Sequence, residues 1–220
     1  MLASQLLHTN YPSVNIFDKP SLALHLMEEY DIQHLAVLNK EKFAGIISKD
    51  DLLDADENST IASLEYQLIK ISVKSEEHFL SALKLSSELN LSLIPVVNDQ
   101  LELAGIITTN DLLKAVSKFS GCEESGGIIV LEMEKRNYSF GEINRLVETN
   151  DAHITQLNTM SEGGDTGMIL VTIKINKIEL SDIVATFQRF DYRVRYYFGE
   201  EQYVNELKEN YNHLIAYLNI

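Results

Sequence analysis

The sequence predicts a mixed α/β (α+β) protein built in two parts, and three observations carry the prediction. The phrase GIISKDDLL at 45–53 returns as GIITTNDLL at 105–113. Around both copies, short runs of branched apolar residues alternate with helix-spaced patterns, the mixture in which helices pack on strands. After the loop SGCEESGG at 120–127 the repeat stops, and a different succession of strands and helices begins.

The repeat is larger than its phrase. Shifted by 59 residues, Ala23, Leu24 and Leu26 fall on Ala82, Leu83 and Leu85, Val37 on Val96 and Asn39 on Asn98; one extra residue in NDQLELAG then makes the shift 60. Each unit opens on a β-rich run, Val14 to Phe17 and Ile69 to Val73. A helix follows. Asp18 and Pro20 mark the start of the first, with Leu22, Leu26 and Tyr30 spaced to line one face, and Ser75 with Glu76 and Glu77 marks the start of the second. Strands LAVLN and LIPVVN come next, then the turns KEKFA and DQLELA, then the strands GIIS and GIIT, each leading into another helix.

This order resembles the cystathionine β-synthase (CBS) domain, which occurs as tandem pairs forming a Bateman module. The family phrase Gly-apolar-apolar-Ser/Thr-x-x-Asp is met by Gly45, Ile46, Ile47, Ser48 and Asp51 and again by Gly105, Ile106, Ile107, Thr108 and Asp111. The second unit carries the family's apolar-Pro-Val turn at Ile94, Pro95 and Val96, while the first has Ala36 in the proline position, so the weaker pocket is expected in the first unit. The pair is placed at 1–120, the first domain at about 10–60 and the second at about 65–120.

Ser48-x-x-Asp51 and Thr108-x-x-Asp111 have two readings. A hydroxyl at a helix N-cap accepts from the N3 amide, and an acid at N3 reaches back to the cap amide, which needs no ligand. The same helix end attracts phosphate, and a carboxylate one turn in can accept ribose hydroxyls. The resemblance implies the latter: Asp51 and Asp111 as ribose acceptors, Ser48 and Thr108 beside phosphate, Lys49 adding charge to the first site, and Thr109 offering a hydroxyl at the second. The implied ligand is an adenine nucleotide, AMP, ADP or ATP, or S-adenosylmethionine, with no redox cofactor. Asp50, Asp51, Asp54, Asp56 and Glu57 form an acidic cluster that reads as a solvated helix surface in preference to a magnesium site.

Beyond the loop, Ile128 to Met133, His153 to Met160, Met168 to Ile175 and Tyr192 to Phe198 read as strands, with helices at Phe140 to Val147 and Leu180 to Phe190. Ile169, Val171, Ile173 and Ile175 share one strand face, and SEGGDTG reads as a hairpin loop. The order βαββαβ is ferredoxin-like. It is similar to the ACT domain, placed at 127–220, which accompanies CBS pairs in acetoin-utilisation AcuB-like regulators. Amino-acid-binding ACT domains carry Asp-x-Pro-Gly before the first helix; EKRNYSFGEI has Asn137 and Tyr138 at the proline and glycine positions, so packing or dimerisation is expected in place of amino-acid binding. Tyr203, Leu207, Tyr211, Leu214 and Leu218 give the C-terminal helix one apolar face.

Composition sets the remaining limits. With 33 acidic against 18 basic residues the net charge is −15, which repels phosphate backbones, so nucleic acid is not an expected partner. No apolar run reaches the roughly 18 residues of a membrane span, and no secretory leader is visible, so a cytoplasmic location is expected. The single cysteine, Cys122, fits a reducing compartment. No HExxH, GxSxG or GxxxxGK[ST] phrase occurs, and the chain is not expected to be an enzyme. The expectation is a regulatory sensor binding an adenine nucleotide and acting on a partner enzyme or its own assembly; the alternative is a ligand-free dimerisation scaffold linked to acetoin or related carbon metabolism.

The CBS resemblance implies pair-to-pair association, so a homodimer is expected. Light scattering during size exclusion at micromolar concentration should return twice the 24.9 kDa of one chain; a single-chain mass would contradict it.

Overall fold

The computed structural model describes residues 1–56, 58–161 and 167–199. The chain divides into two units, Met1–Ser117 and Lys118–Ile220. The first unit holds the repeat. Its first copy runs β1 (Ser13–Asn15), α1 (Pro20–Glu29), β2 (His34–Asn39), β3 (Lys42–Ser48) and α2 (Lys49–Leu53). Its second runs β4 (Val73–Lys74), α3 (Phe79–Glu88), β5 (Leu93–Val97), β6 (Leu103–Thr108) and α4 (Thr109–Phe119). Each copy makes a three-stranded sheet, β1-β2-β3 and β4-β5-β6, in which the first pair is parallel and the second antiparallel. The helix between the first two strands supplies the crossover that a parallel pair requires.

The repeated glycine has a steric reason. The segment leading into each copy is laid across the other copy: Ile46 and Ile69 exchange backbone hydrogen bonds of 3.0 and 2.9 Å, and Ile106 and His8 exchange bonds of 3.0 and 2.8 Å. A Cβ on Gly45 would lie 2.8 Å from Leu68 Cβ, and one on Gly105 would lie 2.7 Å from the His8 carbonyl oxygen. Beside both glycines the antiparallel ladder slips its register, between Val37 and Leu38 and between Val96 and Val97. The cores are correspondingly shared. Ala3, Ala36 and Ile46 join Val96, Ile106 and Phe79 in one buried cluster, while Val37, Ile47, Leu64 and Leu68 join Met27 in another.

Four local expectations are corrected. On α1 the buried residues are Pro20, Ala23 and Met27, whereas Leu22 and Tyr30 are exposed and Leu26 packs at the margin of the core; the stripe at 22, 26 and 30 is not the buried face. Asp18 does not cap that helix, since its Oδ2 accepts from the Asn15 amide at 2.7 Å and closes a turn, leaving Lys19 at the N-cap and Pro20 at the first helical position. The second helix starts at Phe79 and not at Ser75, because the carbonyls of Ser75 and Glu77 accept from Ser4 and Ala3 and Glu77 Oε1 accepts from the Lys74 amide. The run Ile69 to Val73 is likewise not one strand: Ile69 bridges to Ile46, and β4 begins at Val73.

The second unit runs β7 (Gly127–Glu134), α5 (Phe140–Glu148), β8 (Ile154–Ser161), β9 (Met168–Ile175), α6 (Ser181–Arg189) and β10 (Arg193–Phe198). Its sheet has the order β10-β7-β9-β8 with every neighbouring pair antiparallel, the ferredoxin-like arrangement. Ile129, Leu131, Ile169, Val171, Ile173 and Ile175 bury one sheet face against Ile143, Leu146, Ile183 and Phe187 of the helices. Residues 162–166 of the connector SEGGDTG and the apolar stripe from Tyr203 to Leu218 lie outside the described residues.

The crossing predicts the cost of a methyl group. Gly105→Ala should lose about 1–3 kcal/mol of stability in urea unfolding, because the added atom meets backbone that cannot rotate away. Gly141→Ala is the control: nothing lies within 4 Å of its Cβ position on α5, so no loss is expected there.

Candidate nucleotide site

Strands β3 and β6 each end in a hydroxyl residue with a helix starting directly after it. Ser48 has an extended backbone and its Oγ accepts from the Asp51 amide at 3.1 Å, while Asp51 Oδ2 accepts from the Ser48 amide at 3.4 Å and from the Ser48 hydroxyl. The second copy repeats this: Thr108 Oγ1 accepts from the Asp111 amide at 3.2 Å, and Asp111 Oδ2 accepts from the Thr108 amide at 3.1 Å and from its hydroxyl. Both are reciprocal capping arrangements. Each hydroxyl is thus brought to the aspartate of its own copy. Lys49 is the first residue of α2, half-buried, with its amide on the Gln33 carbonyl. Thr109 turns its hydroxyl to the Leu91 carbonyl, 3.1 Å away.

The copies differ in what faces the carboxylate. His8 Nε2 donates to Asp111 Oδ2 at 2.9 Å, with the imidazole half-exposed and the carboxylate largely covered. Burial pushes the Asp111 carboxyl up, but hydrogen bonds from Thr108 and His8 outweigh it and leave the pKa lowered. The Tyr11 phenol is raised, first by burial and then by the Asp111 charge. Two cavities adjoin this pair. One of about 350 Å³ is lined by Leu7 to Tyr11 and Thr108; the other, of about 490 Å³, shares His8, Thr9 and Tyr11 and adds Leu38, Lys40 and Gly105. Both volumes fall in the range of small-molecule sites. His8 and Tyr11 were not visible as site residues in the sequence, because 103 residues separate His8 from Asp111 and no local spacing links them.

At the first copy, His34 sits opposite Ser48 in the ladder and accepts at Nδ1 from the Ser92 amide at 3.3 Å, with Ser92 Oγ 2.9 Å away. Burial lowers its pKa against the opposing pull of Asp51 and Asp50. The accepted amide bond agrees, since protonating Nδ1 would remove the acceptor. In the acidic cluster, Asp56 Oδ1 accepts from the Asn58 amide and Glu57 lies outside the described residues. Among the described residues no group of three or more His, Cys, Asp or Glu side chains could hold a metal ion.

The second site joins three polar side chains, Thr108, Asp111 and His8. The carboxylate stands between the Thr108 hydroxyl and the imidazole, whereas activating a hydroxyl as a nucleophile requires the imidazole beside it. In the second unit, Asn137 ends a 3₁₀ turn and Ser139 caps α5. A cavity of about 370 Å³ there is lined by Glu132, Glu134, Glu142 and Asp191 together with Asn137, Tyr192 and Arg193. Burial and then Glu142 push the Tyr192 phenol up to about 12. No helix among the described residues is long and apolar enough to cross a membrane.

The lowered His34 pKa fixes a sign for the pH dependence. The unfolded imidazole binds its proton more readily, so the contribution of His34 is present above its unfolded pKa of about 6.5 and is lost as pH falls through the folded value. Urea unfolding of wild type between pH 7.5 and pH 5 should therefore lose more stability than the His34→Gln variant over the same interval.

Residues 3–58 and 69–118 match the CBS domain family. A CBS domain pair/ACT domain protein from Thermotoga maritima is 25% identical, over 54% of this chain and 98% of that one, with a TM-score of 0.49. The CBS domains of a transcriptional regulator from Streptococcus pneumoniae are 17% identical, over 52% of this chain and 98% of theirs, with a TM-score of 0.47. A CBS domain pair solved in complex with 5′-methylthioadenosine and S-adenosyl-L-methionine is 22% identical, over 54% of this chain and 98% of that one, with a TM-score of 0.46.

Proposed function

We propose that this chain, which belongs to the CBS-domain family through residues 3–58 and 69–118, is a non-catalytic regulatory protein whose CBS pair takes an adenine-containing nucleotide. The observation that carries the reading is the second copy of the phrase. Thr108 and Asp111 stand at the start of α4, and among the described residues Asp111 engages its partners through Oδ2, leaving Oδ1 to accept a ribose hydroxyl. The adjoining cavities supply room for a base and a phosphate, and the larger one is lined by Lys40 beside Glu41 and Glu102.

Regulation then follows from differential affinity. A ligand that binds one arrangement of the two copies better than another shifts the population toward it, and the ACT-like unit or a partner enzyme reads the shift. The second reading is a scaffold that binds no nucleotide, favoured by the fact that both capping arrangements are complete without one.

A charge test separates the two. Ligand at about 100 times its dissociation constant adds roughly 2.7 kcal/mol to the folded state, about 5–10 °C in melting temperature for a chain of this size. Thermal shift should show this with AMP, ADP, ATP or S-adenosylmethionine. Asp111→Asn retains a hydrogen-bonding oxygen for the Thr108 amide but loses the charge, so the ligand-induced shift should fall sharply while the unliganded melting point moves little. A wild-type curve that no adenine ligand moves at millimolar concentration leaves the scaffold.

A further inference from the structure

The two copies present the same carboxylate to unequal neighbours. Asp51 Oδ2 receives two donors, both from Ser48. Asp111 Oδ2 receives three: the Thr108 amide, the Thr108 hydroxyl and His8 Nε2. A carboxylate oxygen has two lone pairs, so a further hydroxyl on either Oδ2 must displace a donor. Capture of both hydroxyls of a ribose by one carboxylate uses both of its oxygens, and at Asp111 it meets one competing donor more, the imidazole, than at Asp51.

The position of His8 supports the same conclusion. Its backbone is fixed, its N–H and carbonyl both paired with Ile106, but its imidazole is half-exposed and has room to turn. It lines both the cavity that reaches Thr108 and the cavity that reaches Gly105 and Lys40. A ligand touching Thr108 and extending into the larger cavity passes this side chain. The residue that pairs with the first copy in the corresponding way is Ile69, which has no donor to offer Asp51.

We propose that His8 is the specificity-determining residue of the second nucleotide site: its imidazole holds the ribose-accepting oxygen of Asp111, and a ligand binds there by displacing it. The proposal rests on the nucleotide reading above. It makes the two sites of one chain unequal, with one more donor to displace at Asp111 than at Asp51. A ligand that takes both oxygens of Asp111 meets the competition of the imidazole, whereas one that makes a single bond to Oδ1 avoids it.

Calorimetric titration with AMP, ADP, ATP and S-adenosylmethionine in turn tests it. Asp51→Asn isolates the second site, and His8→Ala and His8→Gln are added to that background. His8→Ala removes the competing donor, and for a half-exposed pair this should tighten binding by about two- to fivefold. His8→Gln keeps an N–H donor at a similar reach and should return the affinity to that of the Asp51→Asn parent, a restoration that a merely structural role would not produce. Both substitutions leave the backbone pairing with Ile106 intact, so His8→Gln should melt with the parent and His8→Ala lower by no more than about 4 °C, the loss of one half-exposed pair. Equal or weaker binding by the His8→Ala chain overturns the proposal, as does equal tightening by the glutamine chain. Asp111→Asn, which leaves the first site alone, separates the failures. If it binds an adenine ligand while His8→Ala brings no gain at the second site, the His8 role falls and the nucleotide reading stands; if no chain binds any of the four, both fall.

Discussion

Two backbone crossings hold the N-terminal unit in its form, Ile46 with Ile69 and Ile106 with His8. Each ties the lead-in segment of one copy to the edge strand, β3 or β6, of the other, so neither copy completes its sheet edge or its core alone. The repeated glycines follow from this, since a side chain at 45 or 105 would occupy the path of the crossing segment. So does the mixing of the cores, in which Ala36 and Ile46 of the first copy lie among the residues of the second. A chain that repeats a phrase under this constraint must keep the glycine beside the residue, Ile46 or Ile106, whose backbone takes the crossing segment.

The same constraint leaves the side chains of the crossing segments free to differ. At the first copy the paired residue is isoleucine and at the second it is histidine, on the same backbone hydrogen bonds. Backbone symmetry is therefore preserved while the chemistry beside the carboxylate diverges. In this protein the divergence places a donor within 2.9 Å of Asp111 and none from Ile69 near Asp51. Two sites related by a repeat become distinguishable without any change in the phrase that defines them.

How much of this the sequence discloses depends on range. Strands β2, β3, β5, β6 and β7 to β10 were legible because period-two alternation and branched residues are properties of consecutive positions. The contacts of Ser48 with Asp51 and of Thr108 with Asp111 span three residues and were legible for the same reason. The face of α1 was misread because Leu22, Leu26 and Tyr30 form a helix-spaced stripe as regular as the buried one, and the identity of the covering element decides between them. The start of α3 was misread because the carbonyls of Ser75 and Glu77 are claimed by Ser4 and Ala3, more than 70 residues away. The His8–Asp111 pair lay beyond any local pattern, though it is a consequence of the glycine at 105 admitting His8 to the strand.

An acidic chain with a proposed anionic ligand raises a question of electrostatics that distance resolves. The net charge of −15 is spread over the surface, and at physiological ionic strength its influence fades over about 8 Å. What an anion meets at the second site is set by the nearby groups: the larger cavity is lined by Lys40 together with Glu41 and Glu102, and the Thr108 hydroxyl beside the smaller one is turned to Asp111. The cavity of the C-terminal unit is more acidic, with Glu132, Glu134, Glu142 and Asp191 against Arg193, and a phenol at Tyr192 held protonated by burial and the nearby Glu142. An anion entering there would lose its hydration against a carboxylate majority. Of the two linings, that of the ferredoxin-like unit sets more carboxylates against its one cation.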